Sequence, residues 1–340
     1  MDKEMERLQV QLRRIEEHRE KDADKKIRKM YKNALKDVRQ FLGVEYAKLA
    51  QDGKLTYEIL RGKQEYARFL ELVQERFADL GAQEMQEIQK AVEEMYEAAY
   101  TGMVQAVTAA GDINDAKAFE AMTGFYDVDK ARSGYETLAK GLKVGISPEV
   151  VKAAVENPVH GLTLKDTLER HRSEIIYNIK RQVGVGLTNG DSMATMAKRI
   201  QTSLEGDYKK ALTIARTEVH RVREAGHEDA AEHLDKVIQT GKSGKRLVKI
   251  WRTMRDERVR PQRLTKTKKG WKKSIGKGAN HVKMDGAVVL ADELFDLGDG
   301  NKTKAPGQSG VAGHDINCRC IVEYDLMTDA EYFAATGKHF

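Results

Sequence analysis

At 340 residues the chain is long enough for two domains, and with 40% hydrophobic and 33% charged residues it reads as globular and rich in solvated surface. No apolar run approaches the length of about 18 residues that a bilayer-spanning helix needs, and the acidic start, Met1-Asp2-Lys3-Glu4-Met5-Glu6-Arg7, is not that of a signal peptide. The net charge of +6 hides a gradient: Gly241 to Lys283 holds sixteen Lys/Arg against Asp256 and Glu257, so +14 falls in 43 residues and the remainder sums to −8, which favours a polyanionic partner.

The first 147 residues contain no proline and read as mostly helix. Met5, Leu8, Leu12 and Ile15 recur at spacings of three and four, a stripe suited to docking on a partner. Glu16 to Lys26 offers no large apolar residue, so the first third of this helix is expected to project or to pack on another protein; periodicity resumes at Ile27, Met30, Tyr31, Leu35, Val38 and Leu42. Further helices are predicted over 55–80, 82–110 and 114–122, then a cap at Ser147-Pro148 and helices over 149–156 and 163–182. A glycine-rich connection from Val183 to Gly190 leads to a short helix that Asp191-Ser192 opens and that closes near Leu204. Tyr208–Leu234 reads as an amphipathic helix, followed by β-like runs at Leu247–Trp251, Ala287–Leu290 and Arg319–Tyr324. The expected fold class is α+β: a mostly helical N-terminal region over 1–200, a small α+β C-terminal domain over 205–326 with a lysine-rich loop at 261–280, and a tail at 327–340.

Three groups of residues carry chemistry. Arg263, Lys266, Lys268, Lys269, Lys272, Lys273 and Lys277 can contact several phosphates and gain affinity by counterion release, with Trp271 stacking on an exposed base and no base specificity. The alternatives are a solvated loop and one that docks on an acidic protein. On the Tyr208–Leu234 helix, Arg216 and His220 lie four apart, as do Thr217 and Arg221; the reading there is structural, with Arg216 in a buried ion pair to a loop carboxylate. Cys318 and Cys320, two apart in a strand, point to one side, and with His314 and His281 they form a candidate zinc-ligand set; otherwise the thiols are interior packing. No other cysteine occurs, which suits folding in a reducing cytoplasm.

Taken in order over residues 208–322, several elements resemble the Mu F-like minor head protein family, also called the phage head morphogenesis domain. They are Ala215-Arg216-Thr217-Glu218, Trp251-Arg252-Thr253 leading to Asp256-Glu257-Arg258-Val259-Arg260, His281 leading to Asp285-Gly286, Glu293-Leu294-Phe295, Pro306 and Asn317-Cys318-Arg319-Cys320. The resemblance implies a non-enzymatic minor capsid protein of a tailed phage, assembled in the host cytoplasm and lying in the head interior of the virion. It implies association with the portal protein, with scaffold or major capsid protein as further partners, non-specific contact with double-stranded DNA, and ejection with the genome. The lysine-rich insert departs from the family pattern, so pairing of Arg258 or Arg260 with His281 requires that insert to fold back. Beyond the candidate zinc no cofactor is expected. Two other readings stand beside this one. The first is an enzyme, either ADP-ribosyltransferase-like with Arg216, Thr217 and Glu218 as a vestigial site, or a metal-dependent nuclease using His281 and His314. The second is a pure protein adaptor in head assembly.

Overall fold

The computed structural model describes residues 3–62, 66–110, 151–153, 156, 161–240, 244–254, 262–267, 270–275 and 280–340. Its helices are α1 (Lys3–Leu49), α2 (Tyr57–Gly62), α3 (Tyr66–Ala110), α4 (Leu164–Asn189), α5 (Met193–Thr240), α6 (Ala312–Asp315) and α7 (Asp329–Thr336). Its strands are β1 (Lys245–Arg252), β2 (Gln262–Thr267), β3 (Gly270–Ile275), β4 (Val288–Leu290), β5 (Phe295–Asp296), β6 (Lys302–Thr303) and β7 (Ile321–Thr328). A helical N-terminal region followed by a small α+β region is therefore the observed class. Two compact units form: one from Lys21–Lys90 and Leu162–Ala215, the other from Arg216–Phe340 together with Met1–Glu20 and Ala91–Gly161. The division expected near residues 200–205 thus lies inside α5.

In the helical unit α1 buries Ile27, Tyr31, Val38, Leu42 and Tyr46, a single face at helical spacing. Buried Glu84 of α3 accepts from the Tyr31 hydroxyl at 2.7 Å and pairs with Nδ1 of His171 in α4 at 2.8 Å. Helix α3 runs unbroken through Gly81, where two helices were expected to meet. A Cβ at that position would lie 2.5 Å from Cγ of Arg172, so the glycine permits a close helix approach and marks no turn. The expected glycine-rich connection is likewise helical: α4 starts at the Thr163–Asp166 capping box and ends only where Gly190 turns left-handed at φ 62°. Nor does the next helix close near Leu204. Met196, Ile200, Leu204, Ala211 and Ile214 keep one buried stripe across Gly206, and α5 continues to Thr240. The helix expected at 114–122 and the Ser147-Pro148 cap lie outside the described residues.

In the α+β unit β1 is the central strand of an antiparallel sheet ordered β4-β1-β7, and it is buried on both faces. Val248 and Ile250 pack with Leu290 and with Tyr332 of α7, so residues 329–336 complete this core and are no loose tail. Burying each such side chain contributes about 1.5–3 kcal/mol. On the alternate positions stand Leu247, Lys249 and Trp251. Lys249 is wholly buried, yet its Nζ reaches Oε1 of Glu228 in α5 at 2.8 Å and the Lys304 carbonyl at 3.2 Å. Strand β7 starts at Ile321, two residues later than expected, and runs to Thr328.

The start of α1 does have a face to bury, and that face is polar. The Gln9 amide accepts from the Tyr324 N–H at 3.1 Å and donates to the Tyr324 carbonyl at 2.9 Å, occupying the free edge of β7 as a strand residue would. Arg13 pairs with Glu323 at 2.7 Å, and Glu16 is buried against His227 and Arg223 of α5. Hydrophobic periodicity cannot register such a face, which is why a projecting segment was expected there. The side chains of Met5, Leu8, Leu12 and Ile15 lie outside the described residues.

Helices α5 and α3 meet at Gly226, where a Cβ would stand 2.8 Å from the Tyr96 carbonyl oxygen and 3.1 Å from the Tyr100 nitrogen. Backbone cannot step aside as a side-chain tip can. Gly226→Ala should therefore lower stability by about 1–3 kcal/mol through overpacking, even though alanine is the better helix former by about 1 kcal/mol. Urea unfolding followed by far-UV circular dichroism measures this, and an unchanged or raised midpoint would show that the two helices can part without loss.

The lysine-rich segment is not simply a loop. Residues β2 and β3 pair antiparallel, with Arg263 opposite Ser274, Leu264 opposite Lys273, Thr265 opposite Lys272 and Lys266 opposite Trp271. Their side chains, and all of Lys268, Lys269 and Lys277, lie outside the described residues, as do Asp256, Arg258 and Arg260.

Candidate functional site

A buried cluster forms in the α+β unit where four segments converge. The Asn280 side chain accepts from the Lys283 N–H and so caps the 3-10 turn His281–Met284, which presents His281. Helix α6 presents His314. Asn317 then adopts a left-handed φ of 55°, its N–H donating to Thr217 Oγ1 of α5 at 3.1 Å, and this turn sends Cys318-Arg319-Cys320 out extended toward β7. The cysteines therefore precede the strand they were expected to occupy, but extended backbone keeps their common direction. His220 of α5 forms the remaining side.

His281 lies between the thiols: its Nδ1 is 3.6 Å from Cys318 Sγ and 3.5 Å from Cys320 Sγ. Its other nitrogen, Nε2, is 3.0 Å from His314 Nδ1, and His314 Nε2 is 2.8 Å from Asp299 Oδ2. This chain fixes the tautomers of the neutral rings. An ionised carboxylate only accepts, so His314 donates from Nε2 and accepts at Nδ1, and His281 then donates from Nε2. A lone pair on His281 Nδ1 is left facing both sulfurs. The His281 and His314 rings stack with centroids 5.3 Å apart, and Trp251 meets the His281 ring edge-on at 5.3 Å.

His220 is held differently. The Arg223 guanidinium, which can only donate, reaches His220 Nδ1 at 2.8 Å, so the proton of the neutral ring sits on Nε2. That nitrogen is buried, with no geometrically regular hydrogen bond, on the side of Cys318. Gly307, at φ 80°, lets its loop lie on this ring: a Cβ would come within 3.1 Å of His220 Cδ2. A hydrogen bond from Cys320 and the proximity of His220 hold the Cys318 thiol well below its ordinary range, against the opposing effect of burial.

Of the four expected ligands, three therefore converge. His281, Cys318 and Cys320 place their ligand atoms within 4.8 Å of one another, whereas His314 stands behind His281 and braces it. The two edges of an imidazole face different ways, and sequence spacing does not say which edge meets the sulfurs. His220 was missed as a member of this cluster, although its place four residues after Arg216 had been noted.

The other motif residues have structural duties. Arg216 is exposed, 3.7 Å from Glu20 of α1; a buried ion pair within this motif is Arg221–Glu218 at 3.0 Å. Burial raises the Glu218 carboxyl, with Arg221 opposing it. Thr217 holds the Asn317 turn, Asp285 accepts from the Thr253 N–H at 3.0 Å, and the Gly286 N–H donates to the Trp251 carbonyl at 2.8 Å. Trp251 is buried between His281 and Phe295.

Residues 177–323 match the family described as Phage Mu protein F like protein. The chain is 27% identical to the minor head protein GP7 of Bacillus phage SPP1 over 303 residues, which is 89% of this chain and 82% of that protein. It is 29% identical over 221 residues to the NAD(+)–arginine ADP-ribosyltransferase EFV of Enterococcus faecalis, 61% of this chain but only 39% of that protein. No solved structure matches it significantly.

Proposed function

Residues 177–323 being a Phage Mu protein F like region, we propose that the chain is a minor head protein of a tailed phage that contacts the packaged double-stranded DNA without sequence preference. The observation that carries the DNA contact is the run from Arg263 to Lys277, seven Lys/Arg with no acid, since Arg246, Lys249 and Arg252 of the wider +14 stretch are paired with carboxylates of the chain. Part of that charge stands on the antiparallel β2–β3 ribbon, whose backbone is already paired, so phosphates can be met without ordering a whole loop. Location inside the head, association with the portal protein and departure with the genome belong to the same reading.

Affinity for duplex DNA should fall steeply with salt, by about 0.9 in log K per decade of salt for each phosphate contacted. Changing Arg263, Lys266, Lys268, Lys269, Lys272, Lys273 and Lys277 together to alanine should flatten that slope by several units and treat all sequences alike. Fluorescence anisotropy with a labelled duplex at stepped salt measures both. An unbound duplex at low salt, or an unchanged slope in the variant, would leave a protein adaptor whose cations meet acidic protein.

The apolar stripe Met5, Leu8, Leu12 and Ile15 is the proposed docking face for the portal. Because Gln9, Arg13 and Glu16 of the same helix hold the α+β unit, deleting residues 1–20 would disturb folding as well as docking. Serine at the four stripe positions is the cleaner variant: it should lose incorporation into heads, scored by immunoblot of purified particles, while the free protein stays folded.

An ADP-ribosyltransferase reading is not carried by the likeness to the enterococcal enzyme, since this chain spans about two fifths of its length. Of Arg216, Thr217 and Glu218, the residues a vestigial site would use, Glu218 and Thr217 are buried and engaged by Arg221 and Asn317, while Arg216 is exposed beside Glu20. Purified protein is expected to leave labelled NAD unconsumed.

A further inference from the structure

We propose that His281 Nδ1, Cys318 Sγ and Cys320 Sγ bind one zinc ion, with His314, Asp299 and His220 holding the ligands in place. The distances carry this. Zinc bonds of about 2.3 Å to sulfur and about 2.0–2.1 Å to nitrogen, opened to the tetrahedral angle, put S and N about 3.6 Å apart. The two observed separations are 3.6 and 3.5 Å. All three atoms are buried, and the Asp299–His314–His281 relay leaves the Nδ1 lone pair turned inward, the form a metal requires. A ligating histidine whose other N–H is fixed by a further acceptor is how proteins set ring orientation and basicity at metal sites. His220 serves from outside the ligand set. Arg223 occupies its Nδ1, so the proton of the neutral ring sits on Nε2, buried on the side of Cys318. Among the described residues three ligands converge, one short of the four that a tetrahedral zinc takes.

Its ligands stand on the His281 turn and on the segment that enters β7, braced by His314 of α6 and by Thr217 of α5.

The full-length protein, expressed with zinc in the medium and dialysed against metal-free buffer, should retain about one zinc per chain by mass spectrometry of the metal. Titrating its thiols with a mercurial should release that zinc in step with two sulfurs. Cobalt in place of zinc should give sulfur-to-cobalt charge-transfer bands and the intense visible bands of a four-coordinate ion. Cys318→Ser and Cys320→Ser should lose the metal, His220→Gln should keep its stoichiometry, and His314→Asn should bind roughly 10–100-fold more weakly. Wild-type protein that holds no zinc after loading, cobalt bound without sulfur charge transfer, or full zinc in a Cys318→Ser/Cys320→Ser chain would each overturn the proposal. The cobalt spectrum decides on wild-type protein alone, so a misfolded cysteine variant does not rescue it. Zinc loss in His220→Gln would overturn the outer position given to that residue.

Discussion

Lys249→Met is expected to destabilise the α+β unit by about 3–5 kcal/mol, the loss seen when one partner of a buried ion pair is removed. The ammonium sits at the middle of β1 with its charge met by Glu228 at 2.8 Å, while the Tyr324 hydroxyl donates to the second Glu228 oxygen at 3.3 Å. Methionine fills much the same volume, so packing survives; what remains is a carboxylate with no cation in a dry site. Burial pushes Glu228 up to about 7 even with Lys249 opposing it, and removing the lysine should drive it further, so the deficit should shrink as pH falls below about 7, where the carboxyl takes up a proton in both proteins. Adding Glu228→Gln should restore a large part of the stability, because an unpaired charge is costlier than a neutral amide. Urea unfolding monitored by the fluorescence of buried Trp251 measures all three. A Lys249→Met chain as stable as wild type at pH 7 would mean that the pair contributes nothing net.

The same pair explains what could be read along the chain and what could not. Leu247-Val248-Lys249-Ile250-Trp251 is legible as a strand because four of its five residues are apolar, but nothing local states that Lys249 is inside; its acid lies 21 positions away in a helix. The class and order of the elements follow from periodicity and turn residues, and the family likeness follows from short motifs kept in order. Breaks placed at Gly81, Gly184, Gly186 and Gly206 are not breaks. Glycine inside a helix can mark close packing as readily as a turn, and a partner such as Arg172 decides which. At the candidate metal site residue types sufficed to bring His281, Cys318 and Cys320 together, since a two-residue spacing in extended backbone aligns side chains. The separate roles of His314 and His220 needed geometry: each is set by which ring edge Asp299 or Arg223 occupies. The polar face of α1 left no mark, because Gln9, Arg13 and Glu16 look like ordinary surface residues until β7 and α5 are set against them.

Glu16→Gln should cost a comparable 3–5 kcal/mol at pH 7 and should also change how the protein responds to acid. Glu16 is buried with Oε1 3.0 Å from His227 Nε2 and Oε2 3.7 Å from Arg223 Nε, neither a regular hydrogen bond, and the Arg223 contact is an ion pair. Burial pushes its carboxyl up, but His227, Arg223 and Arg13 together outweigh that, and the group ends below its ordinary value of 4.5. The folded state thus binds the Glu16 proton more weakly than the unfolded chain does, so its stabilisation is complete above about pH 4.5 and is lost as pH falls through the depressed value. Glu228 has the opposite sign: raised to about 7, it favours the folded state below pH 4.5, and that contribution disappears as pH rises from there to about 7. Stability measured by urea unfolding in steps from pH 3 to pH 8 should accordingly lose its steep acid limb in Glu16→Gln and its decline toward neutrality in Glu228→Gln. An acid limb of unchanged steepness in Glu16→Gln would place the acid-sensitive carboxylate elsewhere, and the start of α1 would then be an adherent segment and no part of the unit's ionic core.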